Sequence, residues 1–239
     1  MLGREWLAIP IEQLEIAERE QRQVVTQRIV HFYCEQGTPA ALLAAAAMPE
    51  GEHHPRVLQL TAELARQRGD LAAALAAWMV LGKAAPIYIA PVAQQVLDDW
   101  RNAGRLEEGV HWLEDCHQRE PSSDFVQAIA RSKLALDGLS SAQAWATQAL
   151  TERPSLQGLE SLLALREGAL PTEHSADAES ASSALSEPLI RQLMRPQLQR
   201  VARYRCLQCG FEGRQFHWHC PGCQRWASCS PRRIEEIQG

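Results

Sequence analysis

Several features that would point to whole classes of protein are missing from this sequence of 239 residues. It contains no run of about 18 apolar residues, so we expect no membrane-spanning helix within it. Charged residues interrupt its first 20 residues, unlike a secretory signal peptide. It also lacks a phosphate-cradling glycine loop, a nucleophile elbow and an H-E-x-x-H helix, so we expect neither an enzyme nor a small-molecule substrate. Aromatic residues make up only 6%, whereas alanine and leucine, which favour helix, are abundant.

Charge is unevenly distributed along the chain. The net charge is −5, yet the part from residue 188 onward carries +6, which leaves −11 for the preceding part. The basic part owes its charge to nine arginines, at positions 191, 195, 200, 203, 205, 214, 225, 232 and 233. An acidic body with a basic end suggests contact with phosphates of nucleic acid or of a membrane surface. The alternative is a solvated arginine face.

A period of about 34 residues runs through the middle of the chain. Gly69, Gly104 and Gly138 are 35 and 34 residues apart, and Pro86, Pro121 and Pro154 follow at similar spacing. We interpret each glycine as the turn inside a helix pair. Each proline falls where the second helix should end, because proline cannot continue the hydrogen-bond ladder.

Within each unit, small residues precede large ones in a fixed order. Ala62 and Ala74 flank the first glycine, and Trp78 and Leu81 follow; Gly109, Leu113 and Cys116 occupy the corresponding places in the second unit. This order resembles the tetratricopeptide repeat over residues 55–88 and 90–123. The match is weaker over 124–156, where Ser140, Gln143 and Thr147 replace apolar residues. The alternative is a generic antiparallel helix bundle.

These patterns predict an all-α, tetratricopeptide-like helical solenoid with a small C-terminal rubredoxin-like or zinc-ribbon β module. We assign residues 1–170 to the repeats, which are clearest over 55–156. Residues 171–188, rich in Ser, Ala and Glu, are predicted to be a linker. Residues 189–239 are predicted to form a basic helix and the metal-binding module, with its core at 204–229.

The C-terminal module is defined by four cysteines. Cys206 and Cys209 form C-x2-C-G, and Cys220 and Cys223 form C-P-x-C after ten intervening residues. Two such turns, called knuckles, facing each other across a hairpin bring four thiolates into the tetrahedron that zinc or a single iron prefers. We therefore predict one iron or zinc ion on these four residues. The alternative of local disulfides or unligated thiols is disfavoured by the absence of an export signal.

Other residues near the tetrad receive structural roles. Phe216, Trp218 and Trp226 are predicted to pack over the knuckles, and His219 is predicted to be exposed rather than a ligand. Cys229 lies outside the paired spacing and is predicted not to bind the metal. Cys34 and Cys116 are predicted to be small core residues.

Stacked helix pairs expose a concave face that suits a partner's helix or extended segment. If the repeat register holds, first-helix residues line it; the alternative is that they are merely solvated. The predicted partner groove consists of Arg56, Gln59, Glu63, Arg66, Gln94, Asp98, Arg101 and Asn102.

The combination of repeats, linker and knuckles resembles the lipopolysaccharide assembly protein B family of Gram-negative bacteria. The resemblance rests on the segments YRCLQCGF and WHCPGC, and on HFYCE at residues 31–35. It implies a non-enzymatic adaptor on the cytoplasmic face of the inner membrane that works with the protease FtsH to promote degradation of the deacetylase LpxC. It also implies that the family's four metal-binding cysteines are Cys206, Cys209, Cys220 and Cys223.

The sequence departs from the family at its start. Family members begin with a transmembrane helix and further repeats, so we expect Met1 to be an internal start or a truncation, and this chain to be soluble or peripheral. Two other functions stay open. A rubredoxin-like electron carrier would hold redox-active iron, and a zinc-ribbon nucleic-acid reader would bind with steep salt dependence.

Overall fold

The structure, a computed structural model, describes residues 39–47, 53–167 and 187–237. The predictions for residues 1–38, including Cys34, and for most of the linker lie outside this part. The helices that it describes are α1 (Pro39–Ala46), α2 (Pro55–Gln67), α3 (Leu71–Ala84), α4 (Ala93–Asn102), α5 (Leu106–Arg119), α6 (Ser123–Leu136), α7 (Leu139–Glu152), α8 (Leu156–Glu167), α9 (Glu187–Arg200) and α10 (Ile234–Ile237). Two short 3-10 helices, Pro86–Tyr88 and Ala90–Val92, join α3 to α4, and two strands, β1 (Tyr204–Arg205) and β2 (Glu212–Gly213), lie in the C-terminal module.

Helices α2 to α7 form three antiparallel pairs, and α8 packs against α9. The first helices of neighbouring units also touch, α4 against α6 and α6 against α8, which stacks the pairs side by side. No described helix is long and apolar enough to cross a membrane. The predicted fold class, helical repeats followed by a small β module, is confirmed.

The three glycines of the period lie in the turns inside the pairs. Gly69, Gly104 and Gly138 have φ values of +77°, +71° and +84°, a left-handed conformation that costs little only for glycine. Each second helix ends two residues before its proline: α3 at Ala84, for example, before Pro86. The chain therefore reverses where the glycines and prolines predict.

The second helix of each pair buries the residues four, eight and eleven positions after its N-cap. The N-caps of α3 and α5 are Asp70 and Arg105, each one residue after the glycine of the turn. The buried sets are Ala74, Trp78 and Leu81 in α3, and Gly109, Leu113 and Cys116 in α5. Gly109 permits a close approach of the paired helices, because a Cβ there would lie 2.5 Å from Cγ of Trp100.

The predicted register of the third unit is wrong by one residue. Gly138 is itself the N-cap of α7, so this helix starts one residue earlier after its glycine than α3 and α5 do. Counted from the N-cap, the buried positions fall on Ala142, Ala146 and Ala149. The residues that made this unit look degenerate, Ser140, Gln143 and Thr147, are exposed or half-buried instead.

Candidate metal centre

A short antiparallel hairpin carries the first knuckle of the C-terminal module. Tyr204 pairs with Gly213 and Arg205 with Glu212. The chain then turns at Cys206–Cys209, where the N–H of Gly210 donates to the carbonyl of Cys206 at 3.0 Å. Gly210 has φ +74°, as its place after the second cysteine predicts.

The second knuckle repeats this turn, with a glutamine instead of a glycine at the left-handed position. The N–H of Gln224 donates to the carbonyl of Cys220 at 2.9 Å, and Gln224 adopts φ +56°. A left-handed glutamine carries a conformational cost that the surrounding contacts must offset. This conformation could not be predicted from the sequence, because glutamine, unlike glycine or asparagine, is not typical of left-handed backbone.

The two knuckles bring four sulfurs together. The Sγ atoms of Cys206, Cys209, Cys220 and Cys223 all lie within 4.8 Å of one another. The Cys206–Cys223 and Cys209–Cys220 sulfur pairs are each 3.7 Å apart. A tetrahedron with metal–sulfur bonds of about 2.3 Å has edges of about 3.8 Å, so this geometry fits one zinc or one iron ion. The predicted four-cysteine set is thus positioned to bind a metal ion.

Hydrogen bonds lower the pKa of two of the four cysteines and so favour their thiolate forms. The pKa of Cys206 is lowered first by its side-chain hydrogen bond with Ser228, whose Oγ lies 3.3 Å from the sulfur, and then by the N–H groups of Cys209 and Gln208. The N–H groups of Cys223 and Gly222 lower the pKa of Cys220. Since a metal binds the deprotonated thiol, these hydrogen bonds favour the form of each cysteine that binds the metal.

Cys209 behaves in the opposite way. The N–H of Phe211 lowers its pKa, but desolvation and hydrogen bonds to the other three sulfurs outweigh it and raise the pKa. Four thiolates so close repel one another unless a cation lies among them. The arrangement therefore calls for a positive ion at its centre.

The other described cysteines stay outside the tetrad. Cys229 is buried and forms a β-bridge with Cys206, and burial raises its pKa to about 12. Cys116 is fully buried between helices, where burial raises its pKa to about 11. His219 is exposed and its Nε2 lies 2.7 Å from the carbonyl oxygen of Gln224, so it is no ligand.

The aromatic residues divide between the knuckles and the repeats. Phe216 packs against the cysteine cluster as predicted. Trp218 instead faces the repeats, where its ring stacks on Tyr88 with centroids 4.8 Å apart and an interplanar angle of 12°. Trp226 packs on an apolar cluster that includes Val57 and Leu60 of α2. The prediction that both tryptophans cover the knuckles is wrong, because the helices offer them a larger apolar surface.

A polar contact joins Trp218 to the first described pair. Its indole N–H donates to Oε1 of Gln59 at 2.8 Å, and both side chains are buried. The guanidinium of Arg56 lies 5.9 Å from the centre of the Trp218 ring. The module is therefore docked on α2 and on the 3-10 helix that carries Tyr88.

A second contact joins the module to α6. Arg233 is 4% exposed and forms a two-pronged ion pair with Asp124, while its Nη1 donates to Gln157 at 3.3 Å. The Tyr204 hydroxyl donates to the same Asp124 carboxylate at 3.0 Å. An arginine so buried is stable only with such a complete set of acceptors.

The last described helix caps α6. The carboxylate of Glu236 accepts from the N–H of Ser123 at 2.7 Å, and from the hydroxyls of Ser122 and Ser123 at 3.1 and 2.8 Å. The unpaired N–H groups and the positive dipole end of a helix N-terminus favour such a carboxylate. This contact could not be predicted from the sequence, because its partners lie more than a hundred residues apart.

Part of the C-terminal arginine charge is neutralised inside the molecule. Arg191 pairs with Glu160 at 3.3 Å, Arg232 with Glu120, and Arg233 with Asp124. Arg205 pairs with Glu212 across the hairpin at 2.6 Å. The acidic body and the basic end thus attract each other, which the charge asymmetry alone did not reveal.

The predicted partner groove is a row along the first helices, and the module covers one end of it. Gln59 is 9% exposed beneath Trp218, so it is not part of an open surface. Within the row, Gln59 donates to Glu63 at 2.8 Å, and both Gln94 and Arg101 donate to Asp98, at 3.1 and 2.7 Å.

The rest of that row is accessible. Arg66, Arg101 and Asn102 are exposed, and Arg66 lies 3.9 Å from the buried carboxylate of Asp99. Arg56 and Gln59 also border a cavity of about 560 Å³ along the seam between repeats and module, together with Arg214, Phe216 and Trp226. Partner binding by this row stays a prediction.

Two matches to known proteins bear on this architecture. Residues 204–231 match the family model of a rubredoxin metal binding domain that is named as the zinc ribbon of LapB. The chain is 28% identical over 116 residues to lipopolysaccharide assembly protein B of Haemophilus influenzae, a match that covers 48% of this chain and 27% of the relative. The chain thus aligns with little more than a quarter of that protein. Together the matches confirm the resemblance that the repeats and knuckles predict: about half of the chain is similar to lipopolysaccharide assembly protein B, and residues 204–231 match the rubredoxin metal binding domain of that family.

Proposed function

We propose that this protein is a non-enzymatic adaptor that regulates lipopolysaccharide biosynthesis. The relative's name, lipopolysaccharide assembly protein B, supports the process. Four sulfurs fill the coordination shell of a zinc ion, and a catalytic zinc keeps a position open for water. The site therefore supports a structural ion rather than a reacting one.

The adaptor brings the protease FtsH and its substrate LpxC together at the cytoplasmic face of the bacterial inner membrane, as the family resemblance implies. The chain supplies surfaces and no chemistry of its own. Helix pairs offer the predicted partner groove, and the metal module offers a second surface beside it.

The observation that carries this proposal is the docking of the metal module on the repeats. Trp218 stacks on Tyr88 and bonds to Gln59, and Arg233 pairs with Asp124. A bound ion would hold the module in its folded shape, since so small a segment has little core of its own. The ion would thereby complete a joint surface along the seam.

The test is a pull-down with purified LpxC and detergent-solubilised FtsH on the immobilised, metal-loaded chain, followed by degradation of LpxC in the same mixture. We expect retention of both proteins and faster LpxC loss than with FtsH alone. The double variant Cys206→Ser/Cys209→Ser should abolish both effects, whereas Cys229→Ala, which removes a thiol outside the tetrad, should retain them. Equal activity of the two variants would refute the role of the module.

A second candidate, an iron-dependent electron carrier, is favoured by the N–H groups directed at the cysteine sulfurs, since such donors tune iron–sulfur potentials. It requires a coloured, iron-loaded protein with a reversible one-electron potential. A colourless, zinc-loaded protein isolated from cells grown with both metals would eliminate it.

A further inference from the structure

A cleft of about 400 Å³ lies between α6, α8 and α9, away from the four cysteines. Among the residues that the structure describes, four arginines and a single carboxylate line it: Arg131, Arg191, Arg195, Arg203 and Glu160. The arginines come from α6, from α9 and from the turn before β1. Positive charge is thus concentrated in one cavity of a chain whose net charge is −5.

The one carboxylate of the cleft is already engaged. Glu160 accepts from Arg191 at 3.3 Å, and both side chains are largely buried. In the part of the chain that the structure describes, the guanidinium groups of Arg131, Arg195 and Arg203 form neither an ion pair nor a hydrogen bond. By contrast, Arg205, Arg232 and Arg233 of the same basic region each pair with a carboxylate.

The remaining lining strengthens the attraction for an anion. Leu165 is buried and Leu198 is half-buried, so part of the wall is apolar and strengthens charge–charge interactions next to it, whereas Leu134, Arg131 and Arg195 are exposed to solvent. The buried polar residues bring no negative charge, because Gln157 accepts from Arg233 and the Ser161 hydroxyl donates to the Gln157 carbonyl.

We propose that this cleft binds a phosphate-bearing ligand through Arg131, Arg195 and Arg203. Each guanidinium presents a planar fork of N–H donors that matches two phosphate oxygens. Three forks on different elements suit a tetrahedral dianion better than a planar carboxylate with two oxygens. The site uses neither the metal ligands nor the predicted partner groove, so it adds a ligand to the adaptor without depending on it.

The test measures binding of inorganic phosphate to the metal-loaded chain by calorimetry at low ionic strength. A second arm measures flotation with phosphatidylcholine vesicles, with and without phosphatidic acid, to separate a lipid headgroup from free phosphate. Arg131→Gln/Arg195→Gln removes two of the three forks. Arg68→Gln/Arg200→Gln removes the same charge from exposed positions outside the cleft and serves as the matched control.

We expect phosphate binding that weakens with salt. The cleft variant should lose about a hundredfold in affinity, since it removes two guanidinium groups and each charge-assisted hydrogen bond contributes about a factor of ten. Flotation only with phosphatidic acid, lost in the same variant, would assign the phosphate to a lipid. Equal weakening by the control variant would overturn the proposal, because net charge alone would then explain the binding.

The chain's own carboxylates provide another stringent check. Glu173, Asp177 and Glu179 lie in the sequence between α8 and α9, the two helices that line the cleft. Phosphate binding only after these three are changed to glutamine or asparagine would also overturn the proposal. Circular dichroism and metal content of every variant verify that each one is folded.

Discussion

The indole N–H of Trp218 donates to the side-chain oxygen of Gln59, 159 residues earlier in the chain. This hydrogen bond lies at the seam where the metal module meets α2, and its two side chains are shielded from water. A buried donor and acceptor that lose each other leave an unsatisfied polar group, which is costly. The contact therefore ties folding of the module to folding of the repeats.

We expect Trp218→Phe to lower the free energy of unfolding of the metal-loaded chain by about 1–3 kcal/mol, because Oε1 of Gln59 loses its donor. Urea unfolding followed by circular dichroism measures this change. A double-mutant cycle with Gln59→Ala isolates the pair and should give a coupling of about 0.5 kcal/mol or more. Strict additivity of the two changes would contradict the bond's role.

The carboxylate that caps α6 allows a comparison of neighbouring residues. Glu236→Ala removes the acceptor for the N–H of Ser123 and should cost about 1 kcal/mol of stability. Glu235→Ala is the control, because the nearest contact of Glu235 to Ser123 is a long 3.5 Å. Thermal unfolding of both variants provides the measurement, and equal losses would show that the cap is unimportant.

Asp99 is a buried carboxylate whose charge the fold only partly compensates. One oxygen accepts from Trp78 at 2.9 Å, and burial raises the pKa of the group. Because its carboxyl pKa is higher in the folded state, the folded state binds this proton more tightly than the unfolded state does. The resulting stabilisation is present at low pH and is lost as the pH rises from the unfolded pKa of about 3.9 through the folded pKa. Asp99→Asn keeps an acceptor for Trp78 and removes this loss.

We therefore expect Asp99→Asn to be at least as stable as the parent at neutral pH. Asp99→Leu should cost about 1–3 kcal/mol, because the Trp78 N–H then lacks an acceptor. Denaturant titrations across the acidic range compare the three proteins. A strongly destabilised asparagine variant would indicate that the distant Arg66 stabilises the charge more than burial penalises it.

His117 is expected to make stability depend on pH. Burial, followed by the charge of Arg153, lowers its pKa. As the pH falls, the unfolded state therefore binds a proton at His117 before the folded state does. The stabilisation from neutral His117 is fully present above about pH 6.5 and is lost as the pH falls from there through the folded-state pKa. His117→Gln should flatten this decline in metal-loaded protein, and the exposed His111→Gln should not.

Removal of the metal should separate the module from the repeats. We expect elemental analysis to find one ion per chain, and strong chelation under reducing conditions to abolish the Trp218–Tyr88 stack while most helical signal remains. Tryptophan fluorescence and far-ultraviolet circular dichroism measure the two effects. Loss of all helical signal on chelation would show that the repeats cannot fold without the module.

Local sequence patterns predicted what depends on local geometry. The knuckle spacing identified the four cysteines that are positioned to bind a metal ion, since two turns and a hairpin bring those sulfurs together without help from the rest of the chain. The periodic glycines identified the helix pairs for the same reason. The register of α7 was missed because Gly138 serves both as the turn and as the helix N-cap.

Contacts between distant segments left no such pattern. The sequence around Arg233 does not indicate that Asp124 will neutralise its charge. The sequence around Trp218 likewise does not indicate that its ring will stack on Tyr88. The opposite charges of body and tail made mutual attraction possible, but they are equally compatible with an external phosphate. Only the three-dimensional arrangement distinguishes the arginines that pair with a carboxylate from Arg131, Arg195 and Arg203 of the cleft.

The position of the metal module also bears on how far the stack can flex. A row of helix pairs in which each unit contacts only its neighbours can change its curvature, because small rotations between units add up along the row. The module grips the first described pair through Gln59 and the third through Asp124. The module thus links the first pair to the third and restricts their relative rotation. A metal ion that keeps the module folded would therefore also keep the curvature of the stack constant.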